Sequence, residues 1–265
     1  MKGLFEVAAG SIAGRNHALA GKNNQDAYCS YSSELVTIAV VCDGCGSGKH
    51  SEVGAKLGAG LIVEAIARQL KGQTHLDLVE VRQDVLVQLE GIGKTIAGVH
   101  PLSQIINDYL LFTVVGALIT PSETVVFSIG DGVIAVNGKV TQIGPFPNNA
   151  PPYLAYSLCG YPEWGHLQMH YQLPTQEVES ILIGTDGVSD LIESQARYLP
   201  GKPEKVGAIA QFWQEDRYFK NPDMIRRRLS LINREVTKPD WQSQRLVKEV
   251  GLLPDDTTLI AMRRK

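Results

Sequence analysis

Three apolar runs in this chain each end in Asp-Gly: residues 36–44 read VTIAVVCDG, residues 124–132 read TVVFSIGDG and residues 180–187 read SILIGTDG. Short runs rich in Val, Ile and Phe and bounded by glycine are strands, and a glycine after the aspartate lets the backbone turn sharply there. Each end then presents a carboxylate and a peptide carbonyl. Three such ends put three carboxylates at strand ends.

The remaining pattern fills in around these strands. Residues 4–14 alternate like a strand, residues 26–44 read as two strands about a Ser-Ser-Glu turn, and residues 109–120 form an apolar strand stopped by Pro121. After Asp131 comes a strand, an Asn137-Gly138 hairpin turn and another strand. Residues 255–264 close the chain as a strand. Apolar residues recur at helical spacing over 52–70 and 76–99, the latter weakened by Gly91 and Gly93, and residues 203–213 and 222–236 also read as helices, with Pro222 near a helix start. Residues 144–172, rich in Pro, Asn, Gly and aromatics, read as an irregular surface excursion. Helices in pairs between hairpin-linked strands indicate an α+β fold with antiparallel sheets.

With 265 residues, 44% of them apolar and 20% charged, the chain suits an ordinary globular protein, and no repeat or linker divides it. A net charge of −3 offers no electrostatic case for binding nucleic acid or an anionic membrane. The longest apolar run is too short to cross a bilayer, the N-terminus lacks the apolar core of a secretory signal, and four cysteines do not make a disulfide scaffold. A cytoplasmic protein is expected.

The stretch VVCDGCGSGKHSEVGA at residues 40–55 resembles two other devices. Laid on a phosphate-binding loop, it puts Asp43 where the first glycine belongs and His50 where a Ser or Thr must meet magnesium. Cys42 and Cys45 form a C-x-x-C, but no second pair completes a zinc site, and GSGKHS separates the motif from the helix that would lower a thiol pKa. A C-x5-R phosphatase loop needs arginine at 48 or 51, which are Gly48 and Ser51. A small core residue at Cys42 and a loop residue at Cys45 explain the pair.

Asp43 has company: Asp26 before a strand, Asp131 and Asp186 after strands, Asp190 one helical turn after Asp186, and Asp255 and Asp256 at the start of the last strand. Taken singly, each suits a turn or a helix cap. If the strand ends converge, the carboxylates cannot all stay ionised without cations, and an all-oxygen donor set selects magnesium or manganese. Paired ions about 3.5–4 Å apart are an established apparatus for hydrolysing phosphate esters. Spacing alone does not establish that they meet.

These pieces resemble the metal-dependent serine/threonine phosphatases of the PP2C (PPM) family. NQDAY, VVCDGCGS with a helix after it, FSIGDG, ILIGTDGVSD and DDTTLIAM follow in the family's order from residue 23 to 262. Gly14, His17 and the Gln25-Asp26-Ala27 triplet resemble its divergent bacterial branch. The resemblance implies a four-layer α/β/β/α sandwich of two antiparallel sheets flanked by helices, one domain over 1–265, and a flap insertion at about 144–172. It implies two or three Mg2+ or Mn2+ ions. Asp43 would bridge two of them, the Gly44 carbonyl would ligate one, Asp186 and Asp255 would hold the second, and Asp26 would act through water. Asp131 and Asp190 match a weaker third site, and a one-residue slip would put Asp256 in place of Asp255.

The chain departs from the family in three places. Gln25 replaces a frequent glutamate. Cys45 stands where many members carry a histidine proposed as general acid; a thiol is a poor substitute for protonating a leaving alkoxide, which leaves a metal-bound water or another residue as the alternative. Gly21 stands where many carry a phosphate-binding arginine, leaving Lys22 or Arg15 for that role, and lysine lacks arginine's bidentate fork. His17 admits a structural and a functional reading. The activity implied is hydrolysis of phosphoserine and phosphothreonine in proteins by metal-activated water, in partnership with a serine/threonine kinase system. The rival is a catalytically inactive regulatory binding module on the same scaffold, against which the retained carboxylates argue. The basic run at 224–235 is expected to be a solvated helix face.

Overall fold

The computed structural model describes residues 1–72, 75–161 and 164–265. The strands are β1 (Phe5–Ile12), β2 (Asp26–Ser32), β3 (Thr37–Gly44), β4 (Phe112–Ile119), β5 (Glu123–Ile129), β6 (Gly132–Val136), β7 (Lys139–Ile143), β8 (Gln168–Pro174), β9 (Ser180–Gly184), β10 (Val236–Asp240), β11 (Arg245–Glu249) and β12 (Thr257–Arg264). The α-helices are α1 (Arg15–Ala20), α2 (Ser51–Gln69), α3 (Leu78–Ala97), α4 (Leu102–Ile105), α5 (Gly187–Glu193), α6 (Gln211–Gln214), α7 (Arg217–Lys220) and α8 (Met224–Ile232).

Two five-stranded antiparallel sheets, ordered β1-β12-β9-β6-β7 and β2-β3-β4-β5-β8, lie face to face. Strand parity explains why their centres read as unbroken apolar runs. In β3, Ile38, Val40 and Cys42 point to a core shared with α2 and α3, while Ala39 and Val41 point into the core between the sheets. In β12, Leu259 and Ala261 face the helices α5 to α8, and Ile260 and Met262 face the opposite sheet. The layers are therefore helix, sheet, sheet, helix. Helix α2 lies close on its sheet because glycine recurs on its buried face: a side chain at Gly58 would run into the Phe112 ring.

Several segments differ from the sequence expectation. Of residues 203–213, predicted helical, only the last few enter a helix, α6. Gly207 takes φ +83°, and the buried Arg228 donates to the carbonyls of Lys205 and Val206, so the segment is an irregular loop tied from 22 or more residues downstream. Arg228 thus points inward, and the face of α8 is not wholly solvated as expected. The predicted helix over 222–236 ends at Ile232, and residues 236–249 form the β10–β11 hairpin, which was not anticipated. The 144–172 segment is not wholly a surface excursion: Tyr153, Leu154 and Ala155 are buried in the helix-side core, and from Gln168 the chain is strand β8, paired with β5. No helix among the described residues is long and apolar enough to cross a membrane.

Candidate metal centre

The parity that builds the inter-sheet core also aims the carboxylates. Asp43 continues the Ala39, Val41 side of β3 past the end of that core, and β2 sets Asp26 directly opposite it. From the other sheet, Thr185 continues the Ile181, Ile183 side of β9. Its hydroxyl accepts from the Thr258 N–H at 3.1 Å and donates to Asp26 Oδ2 at 2.7 Å, which joins the sheets. Asp131 sits where the chain leaves β5 in one sheet and enters β6 in the other. Gly130 takes φ +81° there, and a side chain at Gly132 would lie 2.6 Å from Val115 Cγ2 and 2.7 Å from the Gly184 carbonyl.

Asp43, Asp131, Asp186 and Asp255 line one cleft of about 420 Å3, with Gly44, Cys45 and Gln25 beside them and Tyr153 and Tyr156 along one wall. Asp26, 3% exposed, stands opposite Asp43 on β2, and its Oδ1 is buried with no hydrogen-bond partner among the described residues. Asp190, on α5, lies within the electrostatic influence of Asp255 and of Arg15. Burial and then the mutual repulsion of Asp26, Asp186, Asp255 and Asp131 push the Asp43 carboxyl well up. Burial, opposed by the Thr185 hydrogen bond, does the same to Asp26. Asp186 is pushed up to about 7 by burial and by Asp255 and Asp131, and Asp131 and Asp190 rise by burial first. An all-oxygen cluster that cannot ionise by itself, with one buried oxygen lacking a partner, fits hard divalent cations.

Neighbouring Asp255 and Asp256 are placed differently. Asp256 Oδ1 accepts from the Gly14 N–H at 2.6 Å and Oδ2 from the Gln25 N–H at 2.5 Å. His17 Nδ1 lies 2.8 Å from Asp256 Oδ2, off the line of a hydrogen bond. Asp256 is consumed in holding the chain on either side of α1, while Asp255 is exposed to the cleft. Gly14 must be glycine, since a side chain would enter the Asp255 carbonyl group. At Gly44 a side chain would lie 2.8 Å from the Ser51 backbone, which is how close the β3 end comes to α2.

The two cations expected to hold phosphate are separated. Lys22 Nζ reaches the Gly46 carbonyl at 3.3 Å, at the rim of the cleft. Arg15 donates to the Gly251 carbonyl at 2.9 Å and does not line the cleft. Cys45 does line it, with Sγ 3.1 Å from Ser47 Oγ, and Cys42 is buried on the helix side of β3. All four cysteines are free. Thr185, Tyr153 and Tyr156 escaped the sequence reading. Thr185 was legible, as the inward residue of an alternating strand one place before Asp186; the tyrosines lie in a segment whose path no local pattern sets.

A sequence model of the family described as Protein phosphatase 2C matches residues 13–215. No curated protein matches the chain. Among solved structures, a bacterial serine phosphatase superposes with a TM-score of 0.52 at 15% identity over 98% of each chain. The catalytic domain of the serine threonine protein phosphatase PstP, in complex with two manganese ions, gives 0.50 at 16% identity, again over 98% of each chain. A C. elegans sex determining protein gives 0.52 at 12% identity, over 98% of this chain and 64% of that one. At these identities the likeness is one of fold.

Proposed function

The chain belongs to the protein phosphatase 2C family, and on that premise we propose that it hydrolyses phosphoserine and phosphothreonine in proteins, using two or three Mg2+ or Mn2+ ions held by its strand-end carboxylates. The observation that carries this reading is the cross-strand Asp26–Asp43 pair, whose buried Asp26 Oδ1 has no hydrogen-bond partner among the described residues. Asp43 and the Gly44 carbonyl would hold the first ions, with Asp26 acting through water; Asp186 and Asp255 would hold the second ion, and Asp131 and Asp190 a weaker third. Bound there, divalent ions polarise a phosphate ester and lower the pKa of water.

The chain's own groups do the rest. Thr185 fixes the Asp26 carboxylate, and Asp256 holds the backbone so that Asp255 faces the cleft. Lys22, exposed and, among the described residues, bound through its ammonium only to the Gly46 carbonyl at 3.3 Å, turns toward the substrate phosphate, whereas Arg15 stays on Gly251. Cys45 stands where the leaving alkoxide takes its proton, oriented by Ser47. A serine/threonine kinase supplies substrates of this kind.

Hydrolysis of p-nitrophenyl phosphate and of a phosphothreonine peptide, measured with manganese, with EDTA and in Asp186→Asn, tests the reading. Activity should need the metal and fall by about a hundredfold or more in the variant. Metal binding without hydrolysis of either substrate would instead establish a regulatory module on the same scaffold.

A further inference from the structure

A second cavity of about 470 Å3 adjoins the cleft, lined by Ser103, Asn107, Tyr156, Cys159, Tyr161 and Trp164. Tyr156 is common to both. Its ring meets Tyr153 edge-on at 5.2 Å between centroids, and meets Trp164 and Tyr161 edge-on at 5.7 and 6.4 Å. Tyr161 and Trp164 are 56% and 52% exposed. Rings left this open beside a binding cleft mark a contact surface.

The wall is nevertheless held in place. Arg82, from α3, donates to the Gly165 carbonyl at 2.7 Å and to the Trp164 carbonyl at 3.4 Å. Gly165 takes φ +87°, and a side chain there would lie 2.8 Å from the Leu154 carbonyl oxygen and 3.0 Å from that of Tyr153, so the backbone beyond Trp164 is laid against the buried segment that carries Tyr156. Ser103 and Asn107 make no side-chain hydrogen bond among the described residues, which leaves a hydroxyl and an amide free at the cavity margin. Anchored aromatics beside uncommitted polar groups are what a pocket for one apolar side chain of a peptide requires. Among the described residues no cation lines this cavity, Arg82 is committed to the Trp164 and Gly165 carbonyls, and the carboxylates of the cleft lie next to it, so an acidic side chain gains little there.

We propose that this cavity is a specificity subsite, receiving an apolar or aromatic side chain that flanks the phosphorylated residue of the phosphoprotein substrate. The proposal rests on the phosphatase reading above. An extended peptide advances about 3.3 Å per residue with side chains alternating, so a peptide leaving the cleft past the Tyr156 ring, common to both cavities, turns a flanking side chain toward the subsite. The Ser103 hydroxyl and Asn107 amide meet its backbone.

The test is a set of phosphothreonine peptides with Phe, Leu, Ala, Lys or Glu at the flanking positions. Their kcat/KM is measured with manganese against p-nitrophenyl phosphate, which has no flanking residue to place in the subsite. Wild type should favour Phe and Leu over Ala by about tenfold or more. Tyr161→Ala and Trp164→Ala should erase that preference while keeping p-nitrophenyl phosphate turnover within about twofold, which also shows that they fold. Equal rates across the peptides, or a preference for Lys or Glu, overturns the subsite. Binding of the same labelled peptides, read by fluorescence anisotropy, separates the two ideas. Flank-dependent binding without hydrolysis of any substrate overturns the phosphatase reading and upholds the subsite. Flat binding beside active hydrolysis does the reverse.

Discussion

Asp26 and Asp43 stand directly opposite each other on adjacent antiparallel strands, both aimed at the mouth of the gap between the sheets. Like charges in this relation destabilise a sheet. Here the Thr185 hydroxyl of the opposite sheet holds one of them in place instead of neutralising it. The arrangement makes sense as a receptor for positive charge, and the predictions below follow from it.

Stability should depend on pH in an unusual direction when metal is absent. Asp186 titrates at about 7 in the fold against 3.8 ordinarily, and Asp26, Asp43 and Asp131 are shifted the same way. Between those values the unfolded chain has released protons that the folded chain still holds. Stability is therefore greatest on the acid side and falls as pH rises toward and through about 7. At about 1.4 kcal/mol per pKa unit, the loss from the cluster is on the order of a few kcal/mol. Melting in EDTA from about pH 5 to about pH 7.5 should show Tm falling, and manganese should abolish most of the fall. A Tm in EDTA that rises over that interval contradicts the cluster's electrostatics.

Asp255 and Asp256 should separate by phenotype. Asp256→Ala removes the acceptor for the Gly14 and Gln25 N–H groups and should cost about 2–4 kcal/mol of stability, read in urea. Asp255→Asn should leave urea stability nearly unchanged and weaken manganese binding. Interchanged phenotypes would mean that the last strand is used one residue out of step.

Lys22→Met should raise KM for a phosphothreonine peptide by about tenfold with kcat little altered, the signature of lost uniform binding. Arg15→Met should leave kcat and KM nearly unchanged and cost about 1 kcal/mol of stability through the Gly251 carbonyl. Unchanged KM in the first variant removes Lys22 from the phosphate site.

Cys45→Ser tests the proton donor by leaving group. A threonine alkoxide needs protonation and nitrophenolate does not, so the variant should lose about a hundredfold on phosphopeptide and little on p-nitrophenyl phosphate. Equal losses on both substrates would assign Cys45 to packing against the cleft wall.

Much of this design was legible in the sequence. Alternation and the Asp-Gly ends located the strands around Asp43, Asp131 and Asp186, because β-branched runs buried on both faces carry a strong local signal. That β5 and β6 part into different sheets at Asp131 was not legible, since the turn there is set by contacts with Val115 and Gly184 far along the chain. The loop at 203–210 is not legible as a loop, because its Lys205 and Val206 carbonyls are satisfied by Arg228, which no window around the loop contains. The β10–β11 hairpin is exposed and carries Pro239, so it lacks the alternation that identifies buried strands. The choice between Asp255 and Asp256 depended on the corner around α1, which enters from the other end of the sequence.

Calorimetric titration of the metal-free protein with manganese, repeated on Asp43→Asn, tests the carboxylate cluster most directly. Wild type should bind at least two ions per chain and gain thermal stability from them. Asp43→Asn should melt higher than wild type in EDTA, by about 2–4 °C for each kcal/mol of repulsion relieved, and should lose both the binding and the stabilisation. Wild type that binds no manganese, or a variant that binds it as well as wild type does, would contradict a metal centre built on Asp43.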